Sequence, residues 1–348
     1  MTASHESEFQ ATAALIDRMM TADFYPHHPR EVELRQTHVS YVFLAGDYAY
    51  KIKKPVQLPF IDCSRLIKRR ALCERELLLN QRFAPEIYLG VVPLVLRDGV
   101  FSSGETRESS DTVVEFAVKM LRLPDEQRLD IMAAAGRVND SDAHALGKRI
   151  AQLHAGASRS ESWRYGAAAA VWRLAVGNIA ETERLLAESV SRNKLKVIEQ
   201  YIRQYLSSHW RFLNLRARSG RVLDGHGDLR AESVYFTKDG IRILDCLEFS
   251  DALRWSDAAS EIAFLAMDLD RLEHPEFSAE FVSSYTEATN DADLRVLSPF
   301  YKCHRAVVRA KLELTESREA ERPIGERIAC REKARGYLQQ GCTYAIAC

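Results

Sequence analysis

The stretch from His226 to Asp245 constrains this chain more than any other. It reads His226-Gly227-Asp228-Leu229-Arg230-Ala231-Glu232-Ser233, then Val234-Tyr235-Phe236, Lys238-Asp239-Gly240, Ile241-Arg242-Ile243-Leu244 and Asp245. A loop bearing a carboxylate leads into a short apolar strand, an Asp-Gly turn, a second apolar strand and another carboxylate. A hairpin returns its ends to one edge, so the pattern predicts that Asp228 and Asp245, 17 positions apart, share a site. Paired carboxylates of this kind suit phosphoryl transfer. One accepts the proton of a hydroxyl nucleophile, and the other holds the Mg²⁺ that bridges nucleotide phosphates.

Either side of this segment the chain changes character. A short amphipathic helix is expected over 9–20, and Tyr25-Pro26-His27-His28-Pro29 stops it. Strands are expected over 32–36, 41–44 and 48–52, with Ala45-Gly46-Asp47 as the tight turn between the last two. A helix over 66–83 and strands over 89–96 and 113–120 complete this part, and 105–111 is a polar loop. Beyond Leu123-Pro124 long helical stretches are expected over 143–154, 168–188 and 194–216. The β segment 222–249 follows, and then helices over 255–272, 277–289, 294–316 and 323–344. The order predicts an α+β chain: a small β-rich N-lobe over 1–122 and a large helical C-lobe over 123–348 with a β-hairpin at its centre.

Composition narrows the classes of function. Lys plus Arg number 48 against 49 Asp plus Glu, a formal net charge of −1, which excludes a globally basic nucleic-acid coat. The basic residues Lys302, Arg305, Arg309 and Lys311 give one mixed helix face, for which a structural role is favoured over nucleic-acid binding. No apolar run approaches the ~18 residues of a membrane helix. The start, MTASHESEFQ, lacks the cationic and apolar segments of a signal peptide. A cytoplasmic protein with no membrane partner is expected. The seven scattered cysteines form no CxxC pair and read as reduced structural thiols.

With these residues in view, the chain resembles the aminoglycoside phosphotransferase-like kinases, a branch of the protein-kinase-like fold. The family carries HGD, an Asn five positions on, and a strand pair ending in an ID-type aspartate. Here the positions read His226-Gly227-Asp228, Ser233 and Leu244-Asp245. The chain is similar to a subgroup marked by Thr37-His38-Val39-Ser40-Tyr41-Val42-Phe43-Leu44 with Tyr48-Ala49-Tyr50-Lys51-Ile52-Lys53-Lys54-Pro55, by Asp245-Cys246-Leu247-Glu248-Phe249, and by YKCHRAVVRAK from Tyr301 to Lys311. Some relatives of that subgroup carry a fused C-terminal P-loop domain. This chain has no GxxxxGK[ST], so no such activity is expected of it.

The resemblance implies ATP and Mg²⁺ as cofactors and a small-molecule hydroxyl as acceptor, of the aminoglycoside, sugar or amino-alcohol type. It points to Lys51 as the strand lysine on the α and β phosphates, with Lys53 two residues on along the same strand face. Glu76 fits best as the helix glutamate paired with that lysine, and Glu74 comes second. Asp228 would be the base, Asp245 the main metal ligand and Ser233 a secondary one. Arg230 stands where some relatives have His and could neutralise the transferring phosphate; a salt bridge to a neighbouring acid is the competing reading. The turn Thr37-His38-Val39-Ser40 would cover the nucleotide without a glycine, through backbone amides and the Ser40 hydroxyl. The hinge that meets adenine is expected near Lys119 to Leu121. His226 is expected to orient the loop by hydrogen bonding, and Asp257 and Glu261 to brace it. Ser233 and the glycine-free turn also motivate a nucleotide-binding pseudokinase. A third reading is transfer of AMP to a protein.

Overall fold

The computed structural model describes residues 12–58, 60–104, 111–159, 163–186, 189–319 and 322–347. The expectations for 9–11, 105–110, 187–188 and Cys348 lie outside them. The chain divides into two units, Met1–Gln127 with Arg242–Ser250, and Arg128–Ile241 with Asp251–Cys348.

The first unit is built on a six-stranded antiparallel sheet. After a helix over residues 12–19 (α1) come β1 (Val32–Gln36), β2 (Ser40–Ala45) and β3 (Tyr48–Lys53), joined by tight turns. Gly46 takes a φ of 59° in the β2–β3 turn, a conformation that favours glycine. A minimal hairpin, β4 (Gln57–Leu58) and β5 (Ile61–Asp62), leads into α2 (Leu66–Asn80). Then follow β6 (Tyr88–Arg97), β7 (Val100–Ser103) and β8 (Thr112–Leu121), and the strand order is β1-β2-β3-β8-β6-β7.

Strand alternation gives this sheet two covered faces. On one, Phe43, Ala45, Tyr50 and Ile52 pack with Leu15 and Met19 of α1 and with Phe24 and Tyr25. On the other, Leu44, Ala49, Val118 and Met120 meet Cys73 of α2. Lys51 and Lys53 alternate with Tyr50 and Ile52, so they share the face that α2 covers.

The second unit is helical. Its elements begin with α3 (Leu129–Ala134), α4 (Asp140–Ala155), α5 (Trp163–Gly166), α6 (Ala168–Leu185), α7 (Ser189–Ser208) and α8 (Trp210–Arg218). The expected single helix over 194–216 is thus two, broken at His209, where the backbone leaves helical geometry at φ −104° and ψ 14°. Next come β9 (Val222–Asp224), β10 (Val234–Thr237) and β11 (Gly240–Ile243), with β10 and β11 forming the expected hairpin. The last elements are α9 (Asp251–Arg254), β12 (Trp255–Asp257), α10 (Ala258–Arg271), α11 (Pro275–Thr289), α12 (Leu294–Glu316) and α13 (Ile324–Ile346). β9 pairs with β12, Val222 opposite Asp257, a non-local ladder that the sequence pattern did not show. Residues 258–269 of α10 are all buried, which makes this helix the core of the unit. α4 and α11 approach closely at Gly147, where a Cβ would lie 2.7 Å from Ser284 Cβ.

Cys63, Cys73, Cys246, Cys303, Cys330 and Cys342 are buried free thiols, as expected of structural cysteines. No helix among the described residues is long and apolar enough to cross a membrane.

Candidate functional site

In the first unit, five charged side chains converge. Lys51 Nζ lies 2.8 Å from Glu76 Oε1 and 2.5 Å from Asp245 Oδ1. Lys53 Nζ donates to Glu76 Oε2 and to Glu248 Oε1, both at 2.6 Å. The side chains of Glu76, Lys53 and Glu248 are 0%, 1% and 6% exposed, whereas that of Asp245 is 63% exposed. Glu76 therefore bridges both strand lysines. Glu74 faces the other way and pairs with Arg70 at 2.8 Å on the exposed side of α2.

The helix serves this cluster because Arg69, Cys73, Glu76 and Asn80 recur at helical spacing on its buried face. Arg69 anchors the face through Glu115 at 2.7 Å. Asn80 fixes the Asp245 segment: its Oδ1 accepts from Cys246 N–H at 2.8 Å and its Nδ2 donates to Cys246 O at 3.4 Å. Asp245 N–H donates to the Tyr88 hydroxyl at 3.0 Å. Held so, Asp245 adopts a φ of 66°, left-handed backbone that aspartate tolerates better than most residues. Burial opposes the charge on Lys51, but Asp245, Glu76 and Glu248 outweigh it and hold its ammonium well above the usual lysine range. Burial likewise works against the Glu76 carboxylate, and Lys51 and Lys53 together keep it below the usual range. Both charges persist at neutral pH.

The other residues expected around the nucleotide have their own surroundings. Ser40 opens β2 fully buried, with its N–H bonded to Thr37 Oγ1 at 3.0 Å. His38 lies half-buried in the same turn. Lys119 Nζ sits over the Tyr48 ring, 4.2 Å from its centroid. Leu121 is at the exposed end of β8, and its N–H donates to Ile87 O at 2.9 Å.

Asp228, Arg230 and Ser233 belong to the second unit. The loop after β9 carries Asp228, whose Oδ2 accepts from Arg230 Nη2 at 3.2 Å; Arg230 also pairs with Glu232. The salt bridge that is the competing reading for Arg230 is present. Burial opposes its charge, and Asp228, Glu232 and Asp268 outweigh that and raise its pKa. Ser233 closes a single 3₁₀ turn, Ala231–Ser233, and is buried. Its hydroxyl makes no hydrogen bond among the described residues.

Two carboxylates of α10 hold this loop from beneath. Glu261 Oε1 accepts from the His226 N–H at 2.8 Å, and Asp268 Oδ2 accepts from Ala231 N–H at 3.0 Å. Glu261 thus braces the loop as expected. Asp257 acts elsewhere, capping α10 through Ala259 N–H and binding the buried Arg216. Burial works against the Glu261 charge, but His154 and His226 prevail and lower its pKa to about 2. His154 is fixed in turn by the Tyr285 hydroxyl at 2.8 Å. Gly225 is required here: a Cβ at that position would fall 1.8 Å from Glu261 Oε2.

Sequence reasoning missed Glu248 and Asp268. Glu248 stood inside the quoted Asp245-Cys246-Leu247-Glu248-Phe249 motif. Asp268 lies seven residues, two helical turns, after Glu261, a spacing that puts both on one helix face. Asp245 is an exposed carboxylate of the kind that suits a hard divalent cation. A separate grouping of Glu313, Glu316 and Cys330 is neutralised by Arg309 and Arg322, at 3.1 and 3.2 Å.

No protein-family model matches the chain. Uncharacterised proteins of Mycobacterium bovis and Mycobacterium tuberculosis are 34% identical to it over 286 residues, covering 81% of this chain and 54% of theirs. The chain spans about half the length of these curated relatives. Among solved structures, a choline/ethanolamine kinase family protein from Mesorhizobium loti superposes with a TM-score of 0.52 at 12% identity, covering 96% of this chain and 99% of that one. Choline kinase from Cryptosporidium parvum gives 0.51 at 10% identity, with 94% and 95% covered. A microcompartment-associated aminopropanol kinase gives 0.50 at 15% identity, with 96% and 98% covered. Their common architecture is the one described above, a β-sheet N-lobe followed by a helical C-lobe; the chain shares the fold of these kinases, and by its identity to the mycobacterial proteins it belongs to one family with them.

Proposed function

We propose that this chain is an ATP- and Mg²⁺-dependent phosphotransferase that moves the γ-phosphoryl group to a hydroxyl of a small molecule. The observation that carries the reading is the Lys51–Glu76–Asp245 cluster, a buried strand lysine oriented by a helix glutamate beside an exposed aspartate. The kinases of similar fold named above support it.

Lys51 is the phosphate anchor. Glu76 keeps its ammonium charged and aimed, and Lys53 occupies the other oxygen of Glu76, so the glutamate cannot swing away. Asp245 and Ser233 are the hard oxygen donors that would hold Mg²⁺, which when bound neutralises phosphate charge. Asp228 orients the acceptor hydroxyl and takes its proton as the oxygen bonds to the γ-phosphorus and the bond to ADP breaks. Arg230, bonded to Asp228, would offer positive charge to the transferring group. Relatives by fold act on choline, ethanolamine-type and aminopropanol substrates, and the acceptor of this chain is decided by its own residues.

Titrating MgATP into wild type, Asp228→Asn and Asp245→Asn by calorimetry, with ATP turnover measured across an acceptor panel, tests the assignment. Asp228→Asn should bind MgATP within a few-fold of wild type, while transfer falls by ~10²–10⁴-fold. Asp245→Asn should bind poorly. A folded wild type that ignores MgATP refutes the reading, and equal turnover in Asp228→Asn leaves a pseudokinase. The mass added to the product separates phosphate from AMP.

A further inference from the structure

In the segment Asp245-Cys246-Leu247-Glu248-Phe249, the residues Asp245, Cys246, Glu248 and Phe249 are each gripped by other parts of the first unit. Asp245 meets Lys51 and the Tyr88 hydroxyl, and Cys246 is held through both its N–H and its carbonyl by Asn80. The Phe249 ring packs on that of Phe60, with centroids 5.3 Å apart. Glu248 holds Lys53, Oε1 to Nζ, at 2.6 Å. That pair is almost out of water, whereas Asp245 is exposed.

The two lysines stand two positions apart on β3, roughly 7 Å along the strand, and the two carboxylates three positions apart on the segment. Each lysine takes one of these carboxylates, and Glu76 takes both lysines. Strand, helix and segment are thus clasped at two points. The two contacts serve differently. A cation arriving at Asp245 competes with Lys51 for its carboxylate, so the outer contact weakens at the moment when the place of Asp245 matters. The inner contact is buried, little screened by salt, and stays made.

We propose that Glu248, through Lys53, is a positioning residue for metal binding at Asp245. The buried pair keeps the segment in register with β3 while the aspartate turns from Lys51 to the cation. Glu248 acts through the backbone between 245 and 248. The inference rests on the phosphotransferase reading for the identity of the ligand, a divalent cation with a nucleotide.

The test titrates Mn²⁺, whose free form is read by electron paramagnetic resonance, into the purified chain with a non-hydrolysable ATP analogue. Glu248→Leu leaves Lys53 with Glu76 and should weaken Mn²⁺ ~10–100-fold, the loss usual when a group that orients a metal ligand is removed. Glu248→Gln keeps an oxygen for Lys53 and should recover most of that loss. In an Asp245→Asn background the effect of Glu248→Leu should shrink to less than about twofold, because nothing is left to position. The analogue without metal should bind Glu248→Leu as it binds wild type, since Lys51 keeps Glu76.

A Glu248→Leu variant that binds Mn²⁺ like wild type overturns the proposal. An undiminished loss in the Asp245→Asn background also overturns it, marking Glu248 as a general support of the fold. Wild type that binds no Mn²⁺ overturns it too. Should Glu248→Leu fail to fold, Lys53→Met/Glu248→Leu takes its place: it should bind Mn²⁺ weakly where Glu248→Gln does not, and equal binding by the two overturns the proposal. Failure of the phosphotransferase reading looks different: wild type binds Mn²⁺ with the analogue, the variants rank as expected, and no acceptor receives a phosphoryl group from ATP.

Discussion

The two strand lysines should fail in different ways when mutated, because their carboxylate partners differ in exposure. Lys53→Met removes the cation from between Glu76 and Glu248, whose side chains are 0% and 6% exposed. Glu76 keeps Lys51, but Glu248 is left buried beside a methionine. Breaking one side of a buried ion pair costs about 3–5 kcal/mol. That is a large fraction of the ~5–15 kcal/mol by which a protein this size is usually stable. Lys51→Met leaves Glu76 with Lys53, and frees Asp245, which is 63% exposed and returns to water. Its stability loss should be about 1–2 kcal/mol, smaller than that of Lys53→Met because Glu76 keeps a cation, while MgATP affinity falls at least tenfold. The double variant Lys53→Met/Glu248→Leu removes both charges and should recover most of the loss, since an apolar replacement of a buried pair is often neutral. Urea unfolding followed by far-UV circular dichroism measures all three. Tryptophan fluorescence is the wrong probe, because Trp163, Trp172, Trp210 and Trp255 all lie in the helical unit. A Lys53→Met variant within 1 kcal/mol of wild type, or a Lys51→Met variant that costs as much as Lys53→Met, would refute the division of labour.

Three further outcomes follow from the loop and its supports. Glu261 has a folded pKa of about 2 against an ordinary 4.5, so its contribution is complete above pH 4.5 and is lost as pH falls towards 2. Wild type should exceed Glu261→Gln by on the order of 3 kcal/mol at neutral pH and converge with it in that acid window, as read by urea midpoints; a pH-independent gap contradicts it. Gly225→Ala places a Cβ against Glu261 Oε2 and should cost about 3 kcal/mol, seen as a lower calorimetric Tm; an unchanged Tm means the loop yields freely. Ser233→Asn supplies a fixed amide oxygen in place of a rotatable hydroxyl, so turnover should hold or rise and Mg²⁺ dependence tighten. A large loss with intact folding would mean the site is built around the serine.

What the sequence made legible was local chemistry, and what it hid was tertiary charge pairing. The Asp228-to-Asp245 segment could be read because turn residues and strand alternation act over a few positions. Strand alternation also put Lys51 and Lys53 on one face, but could not say which carboxylates wait there. Helix α2 defeats periodicity outright. Ile67 and Leu78 are 61% and 68% exposed, while Arg69, Glu76 and Asn80 are buried. The face is polar because it packs on charged strand residues, so an apolar stripe is the wrong signal to seek. The break at His209 and the β9–β12 ladder were hidden for related reasons, since one depends on packing and the other joins segments about thirty residues apart.

The charge arithmetic of the cluster shows why burying these groups is tolerable and where it leaves reactivity. Lys51 and Lys53 balance Glu76 and Glu248, and all four are nearly or fully out of water. Of the five groups, Asp245 is the surplus carboxylate and also the exposed one. A balanced buried quartet spares the interior an isolated charge, and it places the unbalanced negative charge at the solvent side, on a backbone held in left-handed geometry by Asn80 and Tyr88. An arriving cation would meet Asp245 first. Displacing Asp245 from Lys51 would free the ammonium for an anion while Glu76 still held it in place, so metal and phosphate binding at this cluster should reinforce each other.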